Sequence, residues 1–433
     1  SGDLLLASDS KVTLDAASAL IAANITLKAE AKSTGGVIGG LLANAQSSVI
    51  VTGSTLTATA TGGKVRLEAR SDVNVNEDGN SFFGDGVSVT LITSFNQALI
   101  DVRGNTQITG DKVELDAAVI GSIVATPNSS TVRVIEVLAG FDASVHVGDA
   151  ASLTGTTSVE TLARTDAVIN AYAAPKDGGN DNDESKFDAA VVNVNVLNQP
   201  LAANFTGGSN VTVDGTATIT SGGTTTLRAD DKLVVTSEAD GNVVGTAGAT
   251  LALNTITNFD TQARVGSGVS ITAATFNLEA ESLRNITAKA SSTPGGAQDD
   301  GNDATTTDSQ QALADNNAET SDGSISIAGA VAINVLSPVE ALETSAAIDS
   351  GSLTSTINVN AGTVNVTAKA TDAIAAVATG KNTSSSAPGI AVGVAINAAK
   401  YDTASWLGGR ASLTADTVNL SAQEDGNNDK AAV

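Results

Sequence analysis

Residues Thr275–Ala280 read TFNLEA, and this short pattern decides the fold because the chain repeats it. Apolar residues stand at its second, fourth and sixth positions, and polar residues stand between them. Such period-two alternation is typical of a β-strand with one buried face. The motif recurs as KVTLDA from Lys11, KVRLEA from Lys64, KVELDA from Lys112, SVETLA from Ser158, TTTLRA from Thr224, TVNVTA from Thr363 and TVNLSA from Thr417.

The spacing of the motif reveals an internal repeat. Successive copies start 53, 48, 46, 66, 51, 88 and 54 residues apart. The two long intervals contain polar insertions near 175–185 and 291–323, and without them the period is about 50 residues. Similar strands at this spacing bury their apolar faces by stacking on one another. We therefore predict that residues 1–433 form one continuous, all-β, elongated β-solenoid of about eight repeats.

The known handedness of parallel crossovers predicts a right-handed parallel β-helix. Each repeat forms either two coils of about 25 residues or one wide coil of about 50 residues, at about 4.8 Å per coil. We favour two coils, because Ala and Val fill a wide perimeter poorly. Either arrangement predicts an inward ladder at the fourth position of the motif, formed by Leu14, Leu67, Leu115, Leu227, Leu278, Val366 and Leu420.

The composition restricts the partners and the compartment. The chain has no Cys, no Met and one His, and its 22 basic and 47 acidic residues give a net charge of −25. The absence of Cys excludes disulfides and fits an exported bacterial protein. The negative charge argues against nucleic acid, and the apolar runs are too short for membrane insertion. The missing Met and the pattern running through both ends indicate a piece of a longer polypeptide.

The repeats also resemble a known family. NITLKA (from Asn24), KVTLDA, KVRLEA and TVNLSA, with small-residue turns between them, resemble the repeats of filamentous-haemagglutinin-type and other giant repetitive bacterial surface adhesins. The resemblance implies a secreted, extracellular protein at the bacterial cell surface. It implies a structural stalk or adhesive segment without catalytic activity. Its partners would be a host or neighbouring-cell surface or an extracellular polysaccharide, together with lateral self-association.

Two other functions fit the same fold. Some parallel β-helices are carbohydrate-active enzymes with clustered carboxylates and basic residues in a groove, although aromatic residues that would stack on sugars are only 3% here. The one His, His146, lies in ASVHVGD, where alternation places it on the outer strand face. The other alternative is a subunit of an extracellular filament or surface layer, in which the same rods associate laterally.

Acidic, Gly-bearing loops, among them residues 424–429, follow several of the motifs and are the candidate metal sites. Closely spaced Asp and Asn oxygens suit a hard cation, so calcium is the cofactor that these segments would bind. The competing interpretation is a solvated insertion that keeps a β-rich protein soluble. The candidate ligands are Asp177, Asp181, Asp183, Asp299, Asp300, Asp303, Asp425 and Asp429.

Small residues form a strip on another set of strands. If Ile327, Val331 and Ile333 point inward, the residues between them form a flat outward strip of Ala, Gly and Asn. A solvent face would normally carry longer polar side chains, so the strip predicts close packing within the repeat or on a partner. This predicted packing face comprises Ala328, Ala330, Ala332, Asn334, Ala391, Gly393, Ala395 and Asn397.

Overall fold

The computed structural model describes residues 2, 4–8, 10–35, 41–77, 87–126, 132–173, 189–198, 207–243, 247–294, 326–337, 341–349, 351–359, 361–381 and 389–432. All helical or strand structure within these ranges is β-strand, so the predicted all-β class is confirmed. The period-two alternation of buried and exposed residues continues through the long strands, as the sequence pattern requires.

The strands of the first half of the chain form sets that recur with the sequence repeat. In two of the sets, neighbouring strands are fused into longer ones. Their bounds are β1 Leu4–Ser8, β2 Lys11–Leu14, β3 Ala19–Ala22, β4 Ile25–Gly35, β5 Leu41–Leu42, β6 Ala45–Thr52, β7 Thr55–Ala58, β8 Lys64–Glu77, β9 Val87–Arg103, β10 Gln107–Ala125, β11 Val132–Val147 and β12 Ser152–Ala173.

The second half contains four sets of four strands, each ending in a long strand that carries the motif. Their bounds are β13 Ala189–Leu197, β14 Gly208–Val213, β15 Thr218–Ser221, β16 Thr224–Val243, β17 Ala247–Ile256, β18 Asp260–Val265, β19 Ser270–Thr272, β20 Thr275–Pro294, β21 Ser326–Leu336, β22 Leu342–Asp349, β23 Ser355–Asn358, β24 Thr363–Gly380, β25 Gly389–Ala399, β26 Tyr401–Gly408, β27 Ala411–Thr414 and β28 Thr417–Ala432.

These strands form two sheets in which neighbours run parallel. The first sheet contains β1 and the long strands that carry the motif, and we call it the anchor sheet. These strands stack in the order β1, β4, β8, β10, β12, β16, β20, β24 and β28, with the short strands of each set beside them. The second sheet contains the remaining strands, including the series β9, β11, β13, β17, β21 and β25. Each set therefore contributes strands to both sheets, and the two sheets enclose a common core.

The register joins each repeat to the next one. Thr275 of β20 pairs with Thr224 of β16 on one side and with Thr363 of β24 on the other. Between β16 and β20 the chain passes through the second sheet, so each partner lies one whole repeat away. The preference for two coils of about 25 residues is therefore wrong. The concern about a wide interior does not apply, because the two sheets pack face to face and leave a narrow core that Ala and Val can fill.

Five of the seven residues of the predicted leucine ladder form one buried column. Leu67, Leu115, Leu227, Leu278 and Val366 occupy equivalent positions in the anchor sheet and are at most 1% exposed. Thr161 of β12 occupies the same column between Leu115 and Leu227.

The assignment at the start of the chain is wrong. KVTLDA from Lys11 lies in β2 of the second sheet, where Leu14 pairs with Val51. NITLKA supplies the anchor strand instead, because Leu27 of β4 pairs with Leu67. At the other end of the stack, Leu420 keeps the register but is 45% exposed, since no described strand covers β28.

We expect Leu278→Asp to lower the free energy of unfolding by several kcal/mol, because it buries an unpaired charge. Leu283→Asp is the matched control. Leu283 lies on the same strand, faces outward and is 43% exposed, so this variant should change stability by less than about 1 kcal/mol. Urea unfolding of both variants measures the difference. Equal midpoints for the two variants would contradict the inward assignment.

Candidate functional site

The predicted calcium ligands are only partly within the described residues. Asp177, Asp181, Asp183, Asp299, Asp300 and Asp303 lie outside them. Asp425 and Asp429 both lie on β28, and the exposed Asp425 carboxylate accepts a hydrogen bond from Gln423 at 2.7 Å. Among the residues that the structure describes, no cluster of three His, Cys, Asp or Glu side chains is placed to hold a metal ion.

The expectation of a loop at residues 424–429 is wrong. This segment pairs with β24, where Asp425 lies opposite Thr371 and Asn427 opposite Ala373. The register then shifts, because Lys430 lies opposite Ala375 and one extra residue is accommodated on β28. Pairing with the preceding repeat satisfies the backbone groups along one edge of the acidic segment, and a β-bulge accommodates the additional residue.

The strip of small residues lies inside the protein. Ala328, Ala330 and Ala332 are at most 1% exposed and Asn334 is fully buried, so the outward direction predicted for them is wrong. They face the anchor sheet, and their small side chains permit its close approach. Val331 and Ile333 point outward instead. Ala391, Gly393, Ala395 and Asn397 continue the same columns on β25 and are less covered.

The asparagines of this strip form a buried amide ladder. Asn195 donates to Asn254, Asn254 donates to Asn334, and Asn334 donates to Asn397, each at 2.9 Å. Asn254 and Asn334 also donate to the carbonyl oxygens of Thr287 and Ala375 in the anchor sheet, at 2.8 and 2.7 Å. The ladder therefore links consecutive repeats and both sheets. The sequence signal for this ladder is the Asn that ends LALN at residues 251–254 and VAIN at residues 331–334 and 394–397.

A second polar group is buried between the sheets. Arg284 is 1% exposed and its guanidinium lies 3.6 Å from the carboxylate of Asp372, which is fully buried. Arg284 also donates to the carbonyl oxygen of Phe259 at 3.2 Å, and Thr261 donates to Asp231 at 3.4 Å. Burial raises the pKa of Asp372 and raises that of Asp231 further. The Arg284 guanidinium is thus paired with Asp372, and burial favours the neutral form of Asp231 over the charged form.

Arg284→Met should destabilise the protein by about 3–5 kcal/mol at pH 7, because it leaves buried carboxyl groups without a cation. A carboxyl group whose pKa is raised by folding costs stability above its unfolded pKa, and that cost disappears below it. The loss relative to wild type should therefore shrink as the pH falls towards about 4. Denaturant unfolding at several pH values measures it.

The control for this experiment is the double variant Arg284→Met with Asp372→Leu. It removes the ion pair as a unit, and such replacements by apolar residues are often tolerated. It should therefore be more stable than Arg284→Met alone at pH 7. A loss in the single variant that does not change between pH 4 and pH 8 would contradict the role assigned to this cluster.

His146 points out of the second sheet and connects three consecutive repeats. Its Nδ1 lies 3.1 Å from Asp101 and its Nε2 lies 3.1 Å from Asp214. Hydrogen bonding to Asp101, with a smaller contribution from Asp214, raises the pKa of His146 to about 9. Because both ring nitrogens face carboxylates, the imidazole is held as a cation and is not free to activate a nucleophile.

The pKa of His146 predicts how stability depends on pH. Its stabilising contribution should be complete below the unfolded value of about 6.5 and should disappear as the pH rises through about 9. The stability difference between wild type and His146→Gln should therefore decrease between these pH values. The chain has one His, so its NMR titration also gives the pKa directly. A difference that grows with pH would contradict the assignment.

The outer faces of the two sheets differ in chemistry. On the anchor sheet, ion pairs join neighbouring repeats: Arg66 contacts Asp116 at 3.1 Å, and Arg228 contacts Glu281 at 3.0 Å. Lys369 of the next strand also contacts Glu281, at 3.2 Å. Such exposed pairs contribute little stability individually. They cover this face with interspersed charges of both signs, which favours contact with water.

The outer face of the second sheet is mainly apolar where β9, β11, β13, β17, β21 and β25 lie side by side. Four adjacent columns there are apolar except at Thr93, Thr255 and Glu136, and Glu136 is the one charged residue in those columns. We call this surface the outer apolar face. It comprises Val89, Leu91, Val134, Leu138, Ala190, Val192, Val194, Val196, Ala249, Leu251, Leu253, Gly329, Val331, Ile333, Val335, Val392, Val394, Ile396 and Ala398.

Comparison with known proteins adds no relative. No family model, curated protein or solved structure matches the chain. Within the described residues, there is no helix with the length and apolar character needed to cross a membrane. The surfaces and clusters described above are therefore the basis for inferring the function.

Proposed function

We propose that this chain is a non-catalytic structural and adhesive segment of a large secreted protein at a bacterial cell surface. The observation that carries the proposal is the in-register parallel pairing of whole repeats. A polypeptide built in this way grows along one axis by adding repeats, and each repeat contacts its neighbours only. That property suits a stalk that holds a binding surface away from the cell.

The fold in this proposal is a right-handed β-solenoid with one wide coil per repeat. The parallel strand order and the alternation between two sheets support it, and the hand follows from the preference of parallel crossovers. Nine stacked anchor strands extend for about 38 Å along the axis, whereas a 20-residue strand such as β16 is about 66 Å long. This segment is therefore shorter along the stacking axis than along its strands. A longer stalk requires further repeats.

The proposed stalk is held together by interactions that run along its axis. The asparagine ladder, the ion pairs between repeats and the His146 bridge all connect consecutive repeats. An enzyme, in contrast, concentrates its polar groups in one cleft. The partners in this proposal are a host or neighbouring-cell surface or an extracellular polysaccharide. Calcium binding by the acidic insertions is part of the same proposal.

A second candidate function is supported by the outer apolar face. A subunit of an extracellular filament or surface layer needs a surface that associates with copies of itself. An apolar sheet face with exposed Ile396 and Val394 fits that requirement better than it fits contact with water. Stalk and filament differ in whether the segment works as a single rod or within a lateral array.

Single-molecule force measurements test the proposed stalk. When the chain is pulled from its ends, repeats should detach one after another, because each is bonded only to its neighbours. Each step should release one whole repeat with its insertion, which is 46 to 88 residues or about 160–310 Å of chain. One rupture that releases the whole chain would contradict the proposal. Release of reducing ends from a polysaccharide by the same preparation would favour the carbohydrate-active enzyme.

A further inference from the structure

The outer apolar face is too large to be an ordinary exposed patch. Its six strands cover about 29 Å along the stacking axis, and four columns of side chains cover about 26 Å along the strands. The resulting area is about 750 Å², whereas the largest apolar patch on a typical monomer is about 300–600 Å². A standard-size interface buries about 800 Å² on each partner. The face is therefore large enough to support a stable dimer.

The shape of this face selects its partner. Its side chains stand in straight rows at the strand spacing of about 4.8 Å, and β-branched residues predominate. A second copy of the chain presents rows with the same spacing, so the two faces can interdigitate across all six strands, as sheets do about 10 Å apart in β-sandwiches. A membrane with anionic lipids is disfavoured, because the net charge is −25.

We propose that two copies of this chain pair through the outer apolar face, sheet against sheet, around a two-fold axis parallel to the stacking direction. The inference rests on the proposed stacking of repeats and adds a partner to it. Every repeat then faces the same repeat of the second copy. In longer polypeptides, the contact extends with each additional repeat and forms a paired stalk.

A two-fold axis parallel to the strands would also bring the two faces together. The charge of the chain favours the axis parallel to the stacking direction. The acidic sequences 174–188 and 295–325 are joined to the first residues of β13 and β21. The chain connects both sequences to the margin where β13 and β21 begin. An axis parallel to the strands would place these margins together in the dimer. An axis parallel to the stack makes the paired strands antiparallel and places the acidic margins on opposite sides.

Sedimentation equilibrium tests the pairing at micromolar concentrations. Wild type should have the mass of two chains. Ile333→Glu should weaken dimerisation by at least about 100-fold, because the two-fold axis buries the new charge twice. Leu253→Lys repeats the test on a neighbouring strand with the opposite charge. Leu283→Glu is the matched control, since Leu283 is exposed on the anchor sheet, and this variant should remain dimeric.

Thermal unfolding of each variant separates pairing from folding. Retained strand content in a monomeric Ile333→Glu protein supports the proposal. A monomeric wild type overturns it, whether the face is then covered by residues 295–325 of its own chain or by an unrelated protein. Dimers that persist in both the Ile333→Glu variant and the Leu253→Lys variant also overturn it. None of these outcomes depends on how the repeats detach under force, so the stalk and the pairing are tested separately.

Single cysteines test the direction of the axis, because the chain has no Cys of its own. Leu91 and Ile396 lie in one column at opposite ends of the outer apolar face. If the stacks are parallel, Leu91→Cys and Ile396→Cys should each be joined to the same variant by a short bifunctional thiol cross-linker, which spans the gap between facing sheets that a disulfide is too short to bridge. Cross-links that form only in a mixture of the two variants would overturn the proposed axis.

Discussion

The whole structure depends on backbone hydrogen bonding between equivalent strands of consecutive repeats. In a parallel sheet each strand offers a row of donors and acceptors on both edges, and the similar sequence of the next repeat satisfies them. The register keeps Thr224, Thr275 and Thr363 in one column. The remaining side chains of these strands are therefore also stacked on their counterparts. Ladders of Leu, Asn and opposite charges are consequences of that single constraint.

Stacking makes the interior polar groups acceptable. A lone buried Asn would leave several of its hydrogen-bonding groups unpaired, at a cost of about 1–3 kcal/mol. In this chain Asn334 accepts from Asn254 and donates both to Asn397 and to the carbonyl oxygen of Ala375. The same amide thus fixes the register along the stack and the distance between the sheets. A slip of one residue would turn the ladder outward and bury Val331 and Ile333 instead.

The sequence predicted the repeat, the all-β class and the leucine ladder, because these follow from periodicity alone. It could not tell which face of β21 is buried. Both faces are apolar, and we assumed that the larger residues, Val331 and Ile333, fill the core. The narrow space between the sheets accepts the smaller residues instead. Arg284 was also missed, although counting alternate residues from Phe276 through Leu278 assigns it to the interior.

The outer surfaces were harder to predict, because their meaning depends on which strands become neighbours. The charged residues of the motifs form pairs such as Arg66 with Asp116 only after the repeats are stacked. Likewise, His146 and Asp214 are far apart in sequence and meet because their strands are adjacent in the second sheet. The outer apolar face arises in the same way, from side chains that belong to six different repeats.

The most direct test of the account is a distance along the stack. Lys112 and Thr417 lie in one outward column of the anchor sheet, separated by five strand spacings. Spin labels on Lys112→Cys and Thr417→Cys, in a chain without other cysteines, should give a separation near 24 Å if each repeat forms one coil of about 4.8 Å rise. A separation of about 48 Å, as two coils per repeat at the same rise would produce, would contradict the account.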